Sequence, residues 1–167
     1  MINSTPMSFE ELKKKIASLK ENRGVDLSTE EDLSIGVMNL ISLEEHFFFS
    51  GAKTGKDEYY NMLNEVREMR KVLLARMIDK TEGESWCISK HLLATTMRLM
   101  EVGTKLQGDG KTKDAKMMFA FAYKAYNLFF GLRLKIINAQ DVKNALEKEK
   151  PMNFDEIMAK LVDCCKE

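Results

Sequence analysis

Proline occurs only at Pro6 and Pro151, so 144 consecutive residues carry no obligate helix breaker. Within that span glycine gathers where turns are expected: at Gly51 and Gly55, at Gly83, and at Gly108 and Gly110, with Gly24 nearer the start. Each gap is followed by a plausible helix start, and most starts carry a small polar residue with an acidic one three positions later, the spacing of a capping box. Ser8 and Glu11, Ser28 and Glu31, Thr54 and Asp57, Thr81 and Glu84 form this pattern, and Asn138 with Asp141 and Asn153 with Glu156 repeat it. Helices are therefore expected over 8–22, 29–50, 55–79, 84–107, 112–137, 139–149 and 153–165. No stretch alternates with period two, so no strand is expected and the fold class is all-α.

Long amphipathic helices joined by short loops favour antiparallel neighbours. The expected architecture is an up-and-down bundle of four long helices, with shorter helices at the N- and C-termini. Residues 1–150 form the bundle domain, and 151–167 a C-terminal amphipathic helix that docks on the bundle or on a partner. The chain's 167 residues include 26 Lys plus Arg and 26 Asp plus Glu, giving zero formal charge, with 44% hydrophobic and 31% charged residues. That composition supports a real core and excludes a disordered, collagen-like or disulfide-scaffold chain. It also argues against a nucleic-acid partner held by bulk positive charge. The three cysteines, Cys87, Cys164 and Cys165, are odd in number and two are adjacent, so no disulfide framework is expected. The start MINSTPMSFEELKKK has no basic segment followed by an apolar run, and no apolar stretch is long enough for a membrane span. A reduced, cytoplasmic setting without a membrane partner is expected.

Wheel arithmetic at about 100° per residue places charges among the hydrophobes. In 29–50, Leu33, Val37, Leu40, Ile41, Phe47 and Phe48 form one stripe, with Glu44 in its middle. In 55–79, Tyr59, Leu63, Val66, Leu73, Leu74 and Met77 surround Arg70. In 112–137, Ala115, Phe119, Ala122, Tyr126, Phe129, Phe130 and Ile137 surround Arg133. Unpaired buried charges cost several kcal/mol, so these three are expected to be paired or to face a cavity. Glu44 and Arg70 lie on consecutive helices, though counting from Gly51 and Gly55 leaves them roughly 12 Å out of register at the helical rise. The functional counterpart is a polar pocket for a small anionic ligand, built from Glu44, Arg70, Arg133, Lys90 and His91.

Helix 84–107 differs, with Trp86, Leu93, Met97 and Met100 on one face and Ile88, Leu92, Leu99 and Leu106 on another. Cys87, His91 and Arg98 run between them. Cys87 and His91 are four residues apart and could hold zinc, a cofactor the chain would complete with His46 and Glu44 or Glu45. The di-iron pattern of two Glu-x-x-His pairs is absent. A cysteine nucleophile with His91 as base lacks an oxyanion loop. The loop Gly51-Ala-Lys-Thr-Gly55-Lys56-Asp57 has one residue too few between its glycines, and Asp57 where magnesium needs a hydroxyl, so it reads as a turn. No catalytic residue is assigned.

Ala115, Phe119, Ala122 and Tyr126 resemble half of one tetratricopeptide unit, but no repeat of that length recurs. The helical layout and the run GDGKTKDAKMMFAFAYKAYNLFF loosely resemble the HEPN class of RNA-associated helical domains. Members of that class carry Arg followed four to six residues later by His; here Arg98 follows His91 instead. Methionine is abundant, at 12 residues, and Met117, Met118, Phe121 and Leu128 make a second apolar face on 112–137, as Phe49 does on 29–50. Surplus apolar surface on a bundle points to a protein partner or to self-association, and hence to a non-enzymatic interaction protein.

Overall fold

The computed structural model describes residues 27–147 and, ahead of them, Glu11, Lys13, Lys14, Ala17, Ser18 and Glu21, which are helical and exposed. The expected helix at 153–165, its division from the bundle at 151, Cys164 and Cys165 lie outside the described residues. The fold is an all-α bundle, with no strand among the described residues. Helix α1 spans Leu27–Thr54, α2 Asp57–Met77, α3 Glu84–Gly108, α4 Thr112–Arg133 and α5 Ala139–Glu147, with a 3-10 turn at Lys80–Glu82 before α3. Helices α1 and α2 form one antiparallel hairpin and α3 and α4 a second, and the two join where α1 packs on α3.

Small side chains bring α3 and α4 together. Ser89, Thr96 and Gly103 are buried on α3 at steps of seven, and Ala115, Ala122 and Phe129 are buried on α4 at the same step. The two rows run past each other in opposite directions: Thr96 Oγ1 donates to the Leu92 carbonyl at 2.9 Å and reaches the Ala122 carbonyl at 3.5 Å. Further along, the Phe119 ring lies over Gly103, 2.5 Å from where a Cβ would stand. Because the row has no bulk, the helix axes can approach closely and each backbone packs against the other. Phe119 is consequently half exposed rather than a core residue, a correction to its expected place in the stripe.

The core fills one half of the bundle. Val37 and Met38 of α1, Leu74 and Met77 of α2, Leu92 and Leu93 of α3, and Leu128 through Phe130 of α4 pack together with Ile78, Leu132, Leu134 and Val142. Leu128, expected on a second face, is buried because α4 is surrounded on all sides from Asn127 to Leu132. In the other half, toward the α1–α2 and α3–α4 turns, large apolar residues stay exposed. Phe48, assigned to the core stripe from its wheel position, is among them.

Helix ends account for the remaining differences. α1 runs past Gly51 and stops at Thr54, where Gly55 takes a left-handed φ of 67°. Thr54 Oγ1 bonds back to the Ser50 carbonyl and Lys56 is the α2 N-cap, without a side-chain cap bond, so the expected Thr54 box does not form. Thr81 is likewise not the cap of α3; its N–H and hydroxyl both donate to Asp79 Oδ1, which hold the Asp79 carboxyl below its usual range. The Asn138–Asp141 box does form, with reciprocal bonds of 2.9 and 3.0 Å. α4 ends at Arg133, earlier than expected, by a Schellman closure: Ile136 N–H donates to the Gly131 carbonyl and Lys135 N–H to that of Leu132. Lys135 holds the left-handed position, with φ 54°, where glycine is usual.

Three substitutions test this packing by urea unfolding. Ala122→Leu overfills the α3–α4 seam and is expected to cost about 1–3 kcal/mol. Ser89 Oγ is buried with no hydrogen-bond partner among the described residues, so Ser89→Ala should leave stability unchanged or raise it by up to about 1 kcal/mol. Lys135→Gly relieves the left-handed backbone and should add about 1 kcal/mol. A destabilised Ser89→Ala variant, or a tolerated Ala122→Leu, contradicts the close approach.

Candidate functional site

The two arginines placed mid-stripe are each matched by a carboxylate. Arg70, 4% exposed, donates from Nε to Glu44 Oε1 at 2.7 Å and from its Nη2 to Glu44 Oε2 at 3.2 Å. This two-pronged geometry matches the planar guanidinium to the carboxylate and gives the pair directionality as well as charge. The register mismatch counted from Gly51 shrinks because α1 continues to Thr54. Counted from Gly55, the two residues differ by about four positions, roughly 6 Å at the helical rise, within reach of an Arg and a Glu side chain. Arg133 makes the same kind of pair with Glu30, at 2.6 and 2.8 Å, clamping the C-terminal end of α4 to the first turn of α1. Ser34 and Tyr126 share a 2.6 Å hydrogen bond between the same two helices. Next to it, burial and then the Asp32 carboxylate raise the Glu31 carboxyl above its usual range.

Sequence reasoning missed Glu30. The signal was present: Glu30 falls about 60° from Leu33 on the α1 wheel, on the same stripe as Glu44. Glu44 and Arg70 are thus brought together, while Arg133 goes to a different carboxylate. Lys90 is half-buried and His91 exposed. His91 lies about 200° around α3 from Ser89, on the side away from the α4 seam, as does Cys87. Cys87, His91 and His46 are all exposed, and no group of three or more His, Cys, Asp or Glu placed to hold a metal ion occurs among the described residues.

Between α1 and α3 in the open half lies a groove of about 400 Å³ lined by Glu45, His46, Phe49, Lys53, Arg98 and Glu101 together with Ser42 and Ser50. Arg98 bridges its walls, donating to Glu45 on α1 and to Glu101 on its own helix. With its one arginine held by two carboxylates, the groove carries both signs of charge in balance. Around it the surface is apolar: Phe48 and Phe49 stack edge to face at 5.2 Å on α1, and Met100 and Val102 are exposed on α3. None of the described helices is long and apolar enough to cross a membrane. Comparison with family models, curated proteins and solved structures finds no match to this chain.

The Glu44–Arg70 pair makes a direct prediction. Glu44→Ala leaves a buried guanidinium without its counter-charge and should cost about 3–5 kcal/mol in urea unfolding. The double replacement Glu44→Met with Arg70→Met should recover most of that loss, since neither charge then has to be desolvated. A Glu44→Ala cost below about 1 kcal/mol would show that the pair is not desolvated in solution.

Proposed function

We propose that this chain is a non-enzymatic helical bundle that acts by protein–protein interaction or self-association through its open half. The observation that carries the reading is the contrast between the two halves. Phe48 and Phe121 are each 51% exposed and Met117 48%, whereas the other half buries Phe129, Phe130 and Leu74 and leaves Ile35 and Val72 exposed. A chain able to bury Phe129 and Phe130 completely at one end, yet leaving aromatic and Met side chains in water at the other, carries apolar surface beyond what its own fold needs. Methionine suits such a surface, since an unbranched thioether adapts to a partner at little conformational cost.

The reading is tested by placing a photo-crosslinking side chain at position 48 or 121 of the full chain in living cells, with position 143, exposed on α5, as control. Adducts of discrete mass from 48 or 121 and none from 143 are expected. No adduct at either position, or the same adducts from 143, would overturn the reading.

A further inference from the structure

Two exposed seams that begin in the open half, one of them running past Arg70 to Val72, carry opposite charge. On α2, Glu58, Met62, Glu65, Met69 and Val72 follow one another at alternating steps of four and three, and all are exposed. Met69 at 54% and Val72 at 65% stand furthest into solvent. On α4, Lys113, Met117, Ala120 and Lys124 follow the same steps, flanked by Lys116 and Phe121. That alternation keeps one line of side chains on one face of a helix and is the spacing by which two helices pack along a shared seam. Neither seam meets a partner helix inside the bundle, since Val66 and Arg70 on α2 and Ala115 and Ala122 on α4 are the residues turned inward.

We infer that the partner for this surface is a second copy of this chain, with the α2 seam of one copy packed along the α4 seam of the other. The inference rests on the proposed interaction role and names its occupant. Because the step pattern is shared, one register brings Glu58 against Lys113 and Met62 against Met117, with Glu65 against Ala120, one turn from Lys116, and Met69 level with Lys124. Like seams cannot pair this way: two α4 seams would oppose lysines, and two α2 seams would oppose glutamates, each a repulsion in an apolar contact. The charges are available for the purpose. None of the ion pairs among the described residues engages Lys113, Lys116 or Glu65, and Glu58 makes only a loose 3.7 Å contact with exposed Lys56. Asp114 is the one acidic residue on this stretch of α4; it lies on the Phe121 flank, about 100° from Lys113 and off the central line of the seam. A contact of about three helical turns is small, so association is expected to depend on concentration and to weaken as salt rises.

Charge exchange gives the test, read by sedimentation velocity of the full chain from about 5 to about 500 µM. The unaltered chain should shift from monomer toward dimer across that range. Lys113→Glu with Lys116→Glu, and separately Glu58→Lys with Glu65→Lys, should each weaken association at least about tenfold, because both seams of each variant then carry one sign. Mixing the two variants should restore it, since the acidic α4 seam of one meets the basic α2 seam of the other. All four positions are exposed, and unchanged circular dichroism and thermal unfolding confirm intact folding. A monomer throughout the range, association indifferent to charge reversal, or no recovery on mixing would overturn the inference. If the chain stays monomeric while position 121 crosslinks a different protein in cells, the second copy is excluded and the broader interaction role survives.

Discussion

A buried guanidinium must bring its counter-charge with it, and Arg70 meets that requirement with two hydrogen bonds to Glu44. The pair is the hinge of the whole arrangement. On its one side α1 and α2 contribute Val37, Met38, Leu74 and Met77 to a closed core; on its other side the same two helices expose Phe48, Phe49, Tyr60 and Met62. Neither residue can slide by a helical turn without leaving a charge in apolar surroundings. The α1–α2 register is therefore fixed at that point more firmly than hydrophobic packing alone would fix it, because apolar contacts are not directional. Arg133 and Glu30 do the same for α1 and α4 at the opposite end of the core.

The second hairpin is held by another kind of constraint. Ser89, Thr96 and Gly103 offer α4 a row without bulk, and Ala115 and Ala122 answer it, so α3 and α4 meet through backbone and small side chains along most of their length. One consequence is that α4 commits little side-chain volume to α3 near the turn. Its larger residues there, Met117, Phe121 and Tyr123, are left to face outward. The apolar surface of the open half thus follows from how the hairpin is built, and its abundance of Met and aromatic groups is the property that the proposed interaction uses.

Much of this was legible in the residues. The proline-free span and the glycine punctuation gave the helices, and the wheel phases gave Glu44, Arg70 and Arg133 as charges inside apolar stripes. What was not legible had specific causes. Gly51 looked like a turn but is absorbed into α1, since glycine tolerates a helix interior at a cost of about 1 kcal/mol, and Gly55 makes the stop instead. The end of α4 is closed by Lys135 in a left-handed conformation that no local residue announces. Phe48 and Phe119 share the wheel phase of core residues, but wheel phase says which side of a helix a residue occupies and not whether a neighbour covers that length of it. The grouping of Lys90, His91 and Arg133 into one pocket failed to anticipate that Glu30 would claim Arg133, because a partner 103 residues away leaves no local pattern.

The division into a sealed and an open half is the central claim, and hydrogen exchange of backbone amides in dilute protein tests it most directly. Opening free energies track burial and local packing, so helical amides over 73–77, 89–96 and 122–132 should exchange slowest, near the limit set by global unfolding. Those over 45–53, 58–65 and 113–120 should exchange at least about a hundredfold faster, despite belonging to the same continuous helices. Uniform protection along α1 through α4 would contradict the account, for it would mean that the half with the exposed aromatic and methionine side chains is held as firmly as the core.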